Sequence, residues 1–276
     1  MDGTLARRGF LMTSLISGFS LAAVRGEAAP IHTDTNGMEA GEVAIPVRGG
    51  TAPGYFARPS GAGPFPTVVV IEEIFGVHEH IKDICRRFAK LGYLAVSTEL
   101  YARQGDLSTM TDPGQIVREV VSKAPAEQIM SDLDDTVSWA AANRGDTARL
   151  GITGFCRGGY VTWLYAAHNP RLKAAVAWYG PIGMKTALQP DTVLDVAPRI
   201  NCPLLGLYGG KDPGIPAADI EKAAAAARAA GKTAEIVLYP EAAHAFFADY
   251  RPSYVESAAT DGWKRLQDWF RKYGVA

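Results

Sequence analysis

Three residues of this chain, Cys156, Asp212 and His244, have the types and the order needed for acyl transfer. Cys156 stands in Gly154-Phe155-Cys156-Arg157-Gly158-Gly159, after the apolar run Leu150-Gly151-Ile152-Thr153 and before a helix-like stretch from Tyr160 to His168. That reads as strand, sharp turn and helix with a reactive side chain at the apex. Glycines on both sides remove Cβ atoms that would clash in such a turn. A thiol attacks a carbonyl as its thiolate, so it needs a base, and an acid must hold the base. His244 lies in Glu241-Ala242-Ala243-His244-Ala245-Phe246-Phe247, after a strand-like segment ending at Leu238. Asp212 lies in Gly209-Gly210-Lys211-Asp212-Pro213, after Leu204 to Tyr208. The other downstream histidine, His168, falls at the end of the helix after the turn, too remote to serve. The bland alternatives are a small buried cysteine, an Asp-Pro-Gly turn and a solvent-facing loop histidine. Chain order and position after strands favour the chemistry.

Acyl transfer also needs two backbone N–H groups aimed at the developing oxyanion. One is expected from Arg157, the residue after the nucleophile. The other is expected from Ile74, in the turn Glu72-Glu73-Ile74-Phe75-Gly76 that follows the β-branched run Thr67-Val68-Val69-Val70-Ile71. Glu72 and Glu73 end a buried strand beside this site, where a raised pKa and a base role would be in keeping with burial.

The elements that must position these groups alternate between strand and helix. Val43–Val47 and Gly54–Ala57 predict an opening hairpin, and the run at 67–71 predicts a strand buried on both faces. His78 to Leu91 predicts an amphipathic helix with Ile81, Ile84, Cys85, Phe88 and Leu91 on one stripe and Gly92 closing it. Strand-like segments follow at 93–96, 149–153, 174–178, 204–208 and 233–238, with helices over 127–142, 216–230 and 254–273. Residues 102–125 read as a polar surface excursion. This is the pattern of a mostly parallel, doubly wound α/β sheet flanked by helices, in one domain.

Composition bounds the function. The 276 residues are 47% hydrophobic with a formal net charge of −1, and no basic block points to nucleic acid. Three cysteines, Cys85, Cys156 and Cys202, make an odd count and no disulfide framework; Cys85 and Cys202 read as core. No HExxH or CxxC cluster suggests a metal, and no cofactor is expected. Arg7-Arg8-Gly9-Phe10-Leu11 followed by the short apolar run to Val24 reads as a twin-arginine export signal over residues 1–29, cleaved near 28–30. Residues 30–40 read as a flexible arm. The mature protein is then expected in the periplasm or outside the cell, with the export machinery as a transient partner, no stable membrane anchor and a monomeric state.

Glu73-Ile74-Phe75-Gly76-Val77, Leu100-Tyr101-Ala102-Arg103-Gln104, Gly154 to Gly159, Gly209-Gly210-Lys211-Asp212 and His244 together resemble the dienelactone hydrolase family, from about residue 41 to the C-terminus. The turn at Cys156 is then the nucleophile elbow of an α/β-hydrolase, with cysteine where serine is usual. The resemblance implies a Cys-His-Asp triad that opens lactones or esters through a thioester. It implies that Glu73, rather than Glu72, bonds the resting cysteine, and that Arg103 contacts a substrate carboxylate. Tyr101 and Tyr179 are expected to line the pocket, with packing as the alternative. Three features depart from the family pattern. Ala245 and Ala248 stand where dienelactone-type members carry a serine and a second clamp arginine, so Arg251 or Arg157 would have to replace that half. Arg157 follows the nucleophile where relatives often have Leu or Trp. Export is also an unexpected setting for a chlorocatechol-pathway step. Other readings are a non-catalytic binding homologue and a thiol redox sensor; the second needs a resolving cysteine near Cys156.

Overall fold

The computed structural model describes residues 30–276, so the expected export signal at 1–29 lies outside the described residues. Eight strands form one sheet: β1 (Met38–Val47), β2 (Gly50–Pro59), β3 (Phe65–Ile71), β4 (Leu94–Thr98), β5 (Gly145–Phe155), β6 (Ala174–Trp178), β7 (Leu204–Gly209) and β8 (Ala234–Tyr239). Their order is β1-β2-β4-β3-β5-β6-β7-β8. β1 pairs antiparallel with β2, and β2 with β4; every later pair is parallel. β3, β4 and β6 are buried on both faces, as their runs of Val, Ile, Leu and Ala require.

The helices are α1 (Glu79–Lys90), α2 (Pro113–Glu119), α3 (Ala126–Ala142), α4 (Arg157–His168), α5 (Val193–Val196), α6 (Ala217–Ala229) and α7 (Glu256–Lys272). α1 and α7 meet over one face of the sheet, where Phe88 packs against Trp263 and Phe270 with ring centroids 4.9 and 6.2 Å apart. α3 and α4 pack together on the other face. Cys85 sits in the α1 stripe as expected, and burial drives its thiol well above the ordinary range. Cys202 is also buried, with its thiol pushed up to about 12. Two inert, buried thiols leave Cys156 without a resolving partner, which argues against the redox reading.

Two expectations need correction. The segment read as a flexible arm is fixed. β1 begins at Met38 and pairs residue by residue with β2 as far as Pro59. Ahead of it, Thr33 N–H donates to Asp83 at 2.5 Å, Arg86 Nε donates to the Thr33 carbonyl at 2.9 Å, and Lys90 reaches Asp34 at 2.7 Å. Nor is the 102–125 excursion merely polar. It holds α2 and two short 3-10 turns, and it buries Leu107, Ile116, Val120 and Val121. The loop after β6 bonds onto it through Gln189, whose amide donates to the Val121 and Ala124 carbonyls at 3.0 and 2.6 Å.

The elbow depends on backbone meeting backbone. A Cβ on Gly158 would lie 2.5 Å from the Glu72 carbonyl oxygen and 2.6 Å from that of Ile71. One on Gly159 would lie 2.5 Å from the Trp178 carbonyl oxygen. The start of α4 is thereby seated against the ends of β3 and β6 with no side chain between them. Gly158→Ala should destabilise the protein by about 3 kcal/mol, the upper end for overpacking. Gly183→Ala, where nothing lies within 4 Å, should change it by less than about 0.5 kcal/mol. Thermal denaturation of the two variants checks this; equal melting temperatures would refute the close-contact account.

Candidate active site

Cys156 occupies the left-handed region, with φ 54° and ψ −117°. Such strain persists only where surrounding structure enforces it, and here its N–H donates to the Trp178 carbonyl at 3.0 Å while α4 starts at the next residue. The thiol is lifted out of the strand at the C-terminal edge of the sheet. Loops leaving the same edge bring the other groups. Asp212 follows β7 and His244 follows β8. Asp212 Oδ2 accepts from His244 Nδ1 at 2.6 Å, and its other oxygen accepts from Gly214 N–H at 2.9 Å. His244 is also within hydrogen-bonding reach of the Cys156 thiol. Tyr179 packs edge-on against the His244 ring at 5.2 Å. Burial disfavours a charged ring here, but the bonds to Asp212 and Cys156 outweigh it and raise His244 to about 10.

The turn after β3 is held by a second device. Glu72 accepts from Leu100 N–H at 2.9 Å and Glu99 accepts from Val77 N–H at 2.8 Å. Burial, followed for Glu72 by the charge of Glu99, drives both carboxyls upward. Gly76, at φ 80°, leaves room for this pair; a Cβ would lie 2.7 Å from Glu99 Oε2. Among the described residues, neither Ile74 N–H nor Arg157 N–H has a backbone acceptor.

Two expected roles fail. Glu73 does not bond the cysteine. Its Oε2 accepts from Tyr250 at 2.5 Å and from His78 Nε2 at 3.1 Å, while its Oε1 makes no hydrogen bond. Burial opposes its charge, but the His78 bond and the charge of Arg251 hold the carboxyl far below the usual range. An ionised Glu73 can only accept, so His78 is the donor. Arg251 donates from Nε to the Tyr250 hydroxyl at 3.0 Å and lies over the Phe75 ring at 4.8 Å. Arg103 is not available as a clamp either. Its guanidinium is committed to the buried carboxylate of Asp132 on α3, with a second bond to the Arg48 carbonyl at 3.0 Å. Tyr101 and Tyr179 do lie beside the cysteine, both fully buried with hydroxyls that make no hydrogen bond. His78 and Tyr250 escaped the sequence reading because nothing in their local pattern marks them: they sit 5 and 177 residues from Glu73.

Comparison with known proteins gives the family. The model of the "Dienelactone hydrolase family" matches residues 52–274. The chain belongs to the dienelactone hydrolase family. It is therefore an ester or lactone hydrolase of the α/β-hydrolase fold. A Methylorubrum extorquens protein named "Putative carboxymethylenebutenolidase" is 62% identical over 277 residues, covering 99% of this chain and 95% of its own. A Yersinia pestis protein of the same name is 54% identical over 253 residues, covering 89% and 95%. A crystal structure titled "Putative Dienelactone Hydrolase" from Klebsiella pneumoniae matches at TM-score 0.84 and 56% identity, over 86% of this chain and all of that one. A metagenomic "Dienelactone Hydrolase-like Promiscuous Phospotriesterase", at 22% identity and TM-score 0.72, shares the fold.

The raised His244 has a consequence for stability. Its folded value of about 10 exceeds the ordinary 6.5, so folding takes up a proton between those limits. The stabilisation is complete below about pH 6.5 and is lost as pH rises through 10. Asp212→Asn removes the bonding carboxylate. Its unfolding free energy, measured by urea titration, should fall less steeply between pH 6.5 and 10 than that of the native protein. Identical slopes would mean that His244 does not hold this proton.

Proposed function

We propose that this hydrolase cleaves a small ester or lactone by nucleophilic catalysis at Cys156, with His244 and Asp212 completing a triad and a thioester as intermediate. The observation that carries the reading is the double engagement of His244. One ring nitrogen is fixed by Asp212, and Cys156, held in a left-handed turn, is near enough to the ring to favour its charge. A ring that favours its protonated form at neutral pH keeps a proton to give. Sγ attacks the carbonyl carbon and the carbonyl oxygen takes the negative charge. The N–H groups of Ile74 and Arg157 receive that oxyanion. Collapse breaks the C–O bond, and His244 protonates the leaving alkoxide, which for a lactone remains attached to the acyl group. Acylation removes the sulfur charge that helped to raise His244. The neutral ring then takes a proton from water, whose attack on the thioester releases the acid and restores the pair. Cys156→Ala should lower kcat/KM for 4-nitrophenyl butyrate by at least about 1,000-fold. Acid quenching of the native enzyme during turnover should show a butyryl adduct on Cys156. Retained activity, or an adduct elsewhere, rejects the mechanism.

The reading of residues 1–29 as a twin-arginine signal supports work in the periplasm or outside the cell. Among the described residues, no helix is long and apolar enough to cross a membrane. Replacing Arg7 and Arg8 together by lysine should leave the protein in the cytoplasmic fraction after cell fractionation; unchanged export would remove the twin-arginine assignment.

A further inference from the structure

The segment that carries His244, from Pro240 to Val255, joins β8 to α7 without a helix or strand of its own. Ala245 sits at φ 60°, and turns close behind it, where the Ala248 and Arg251 N–H groups donate to the Ala245 and Ala248 carbonyls at 3.0 and 2.9 Å. Phe246 and Phe247 are buried under the loop, Phe247 against Trp178 with ring centroids 4.4 Å apart. Apolar burial is non-directional, so it holds such a loop down without setting its orientation. Orientation comes from Asp249. This buried carboxylate spends both oxygens on α1: Oδ1 accepts from His80 Nδ1 at 3.1 Å and Oδ2 accepts from Arg87 Nη2 at 2.5 Å. Burial opposes its charge, but His80 and Arg87 hold the carboxyl below its ordinary value. An ionised carboxylate only accepts, so His80 is the donor. Arg87 is fixed in turn by Asp83, which accepts from its Nε at 2.6 Å. The next loop residue, Tyr250, packs on the His80 ring at 5.2 Å and donates to Glu73 at 2.5 Å. Because α1 begins at Glu79, just after the Glu72–Gly76 turn, one helix carries that turn at its head and the His244 loop on its flank.

We infer that Asp249 is a positioning residue for His244: through His80 and Arg87 it seats the catalytic loop on the helix that leaves the Ile74 turn, and so fixes the base relative to the Cys156 thiol and the expected oxyanion donors. Asp249 touches no reacting atom. The inference rests on the reading of His244 as the base of a Cys156 hydrolase. A buried ion pair adds little net stability over apolar packing, but its directional bonds disfavour other seatings of the loop. Misplacement of a catalytic group by about 1 Å can cost about 100-fold in rate, even when the change lies away from the chemistry.

Asp249→Asn keeps the size of the side chain but removes the charge and turns an amide donor toward one of its two donor partners. With 4-nitrophenyl butyrate it should lower kcat at least about tenfold and change KM by less than about threefold, the split expected for an interaction felt in the transition state. His80→Phe keeps a ring without the donor and should act in the same direction. His80→Asn, whose amide can donate from near the Nδ1 position, should restore part of that loss. Arg58 supplies the control: it bonds Glu39 and the Asn143 carbonyl at the opposite edge of the sheet. Arg58→Met should lower the melting temperature and leave kcat unchanged. Amide hydrogen exchange gives a reading that needs no catalysis. Asp249→Asn should speed exchange over residues 244–255 by about tenfold and leave residues 154–160 unchanged. Should Asp249→Asn fail to fold, the two His80 variants decide by the same measurements. A kcat that falls no further than in Arg58→Met, or loop exchange at the native rate, overturns the positioning role. Activity that survives Cys156→Ala, beside faster loop exchange in Asp249→Asn, overturns the triad and leaves the anchoring of the loop standing.

Discussion

The close approach of three backbones sets the rest of this structure. The first turn of α4 lies against the carbonyls that end β3 and β6, with glycine at 158 and 159 because nothing larger fits. That contact forces Cys156 into the left-handed region and points its amide at Trp178. It also fixes the distance from the thiol to the Glu72–Gly76 turn on one side and to Tyr179 on the other. The parallel sheet then supplies the remaining positions, because β7 and β8 release Asp212 and His244 at the same edge.

Around that contact the buried charges divide into two groups. One surrounds His244, where a carboxylate and a thiol both favour the protonated ring. The other is structural. Glu72 and Glu99 hold the Leu100 and Val77 amides, and Glu73 gathers His78, Tyr250 and the charge of Arg251. Both carboxylate groups brace the loop that is expected to present the Ile74 amide, so the acids read from sequence as candidate bases serve position instead. The burial of Glu73 is offset by its bonds to His78 and Tyr250 and by the charge of Arg251.

The sequence was most informative where chemistry is written locally. Gly154 to Gly159 marks the elbow because a sharp turn leaves a compositional trace, and Asp212 and His244 each follow a recognisable strand. The sheet was legible for the same reason: runs such as Val68–Ile71 have one stable environment. What could not be read depends on partners distant in sequence. Arg103 has the neighbours expected of a clamp, but Asp132, 29 residues away on α3, takes its charge. The start of β1 was placed too late because Met38 to Gly41 owe their strand to pairing with residues 56–59, not to their own pattern. The segment between β6 and β7 carried no signal, yet from there Met184 meets Arg157 and Gln189 bonds residues 121 and 124.

The loops at the sheet edge are bonded to each other as well as to the start of α4: Gln189 ties the segment after β6 to residues 121 and 124, and Ala126 N–H donates to the Leu188 carbonyl at 2.9 Å. They form a rim around a fixed centre. Mutations accumulating in residues 102–125 and 181–200 can remodel what the rim admits while the β3–α4–β6 junction stays untouched. Descendants of this chain can therefore diverge in diet long before they diverge in chemistry.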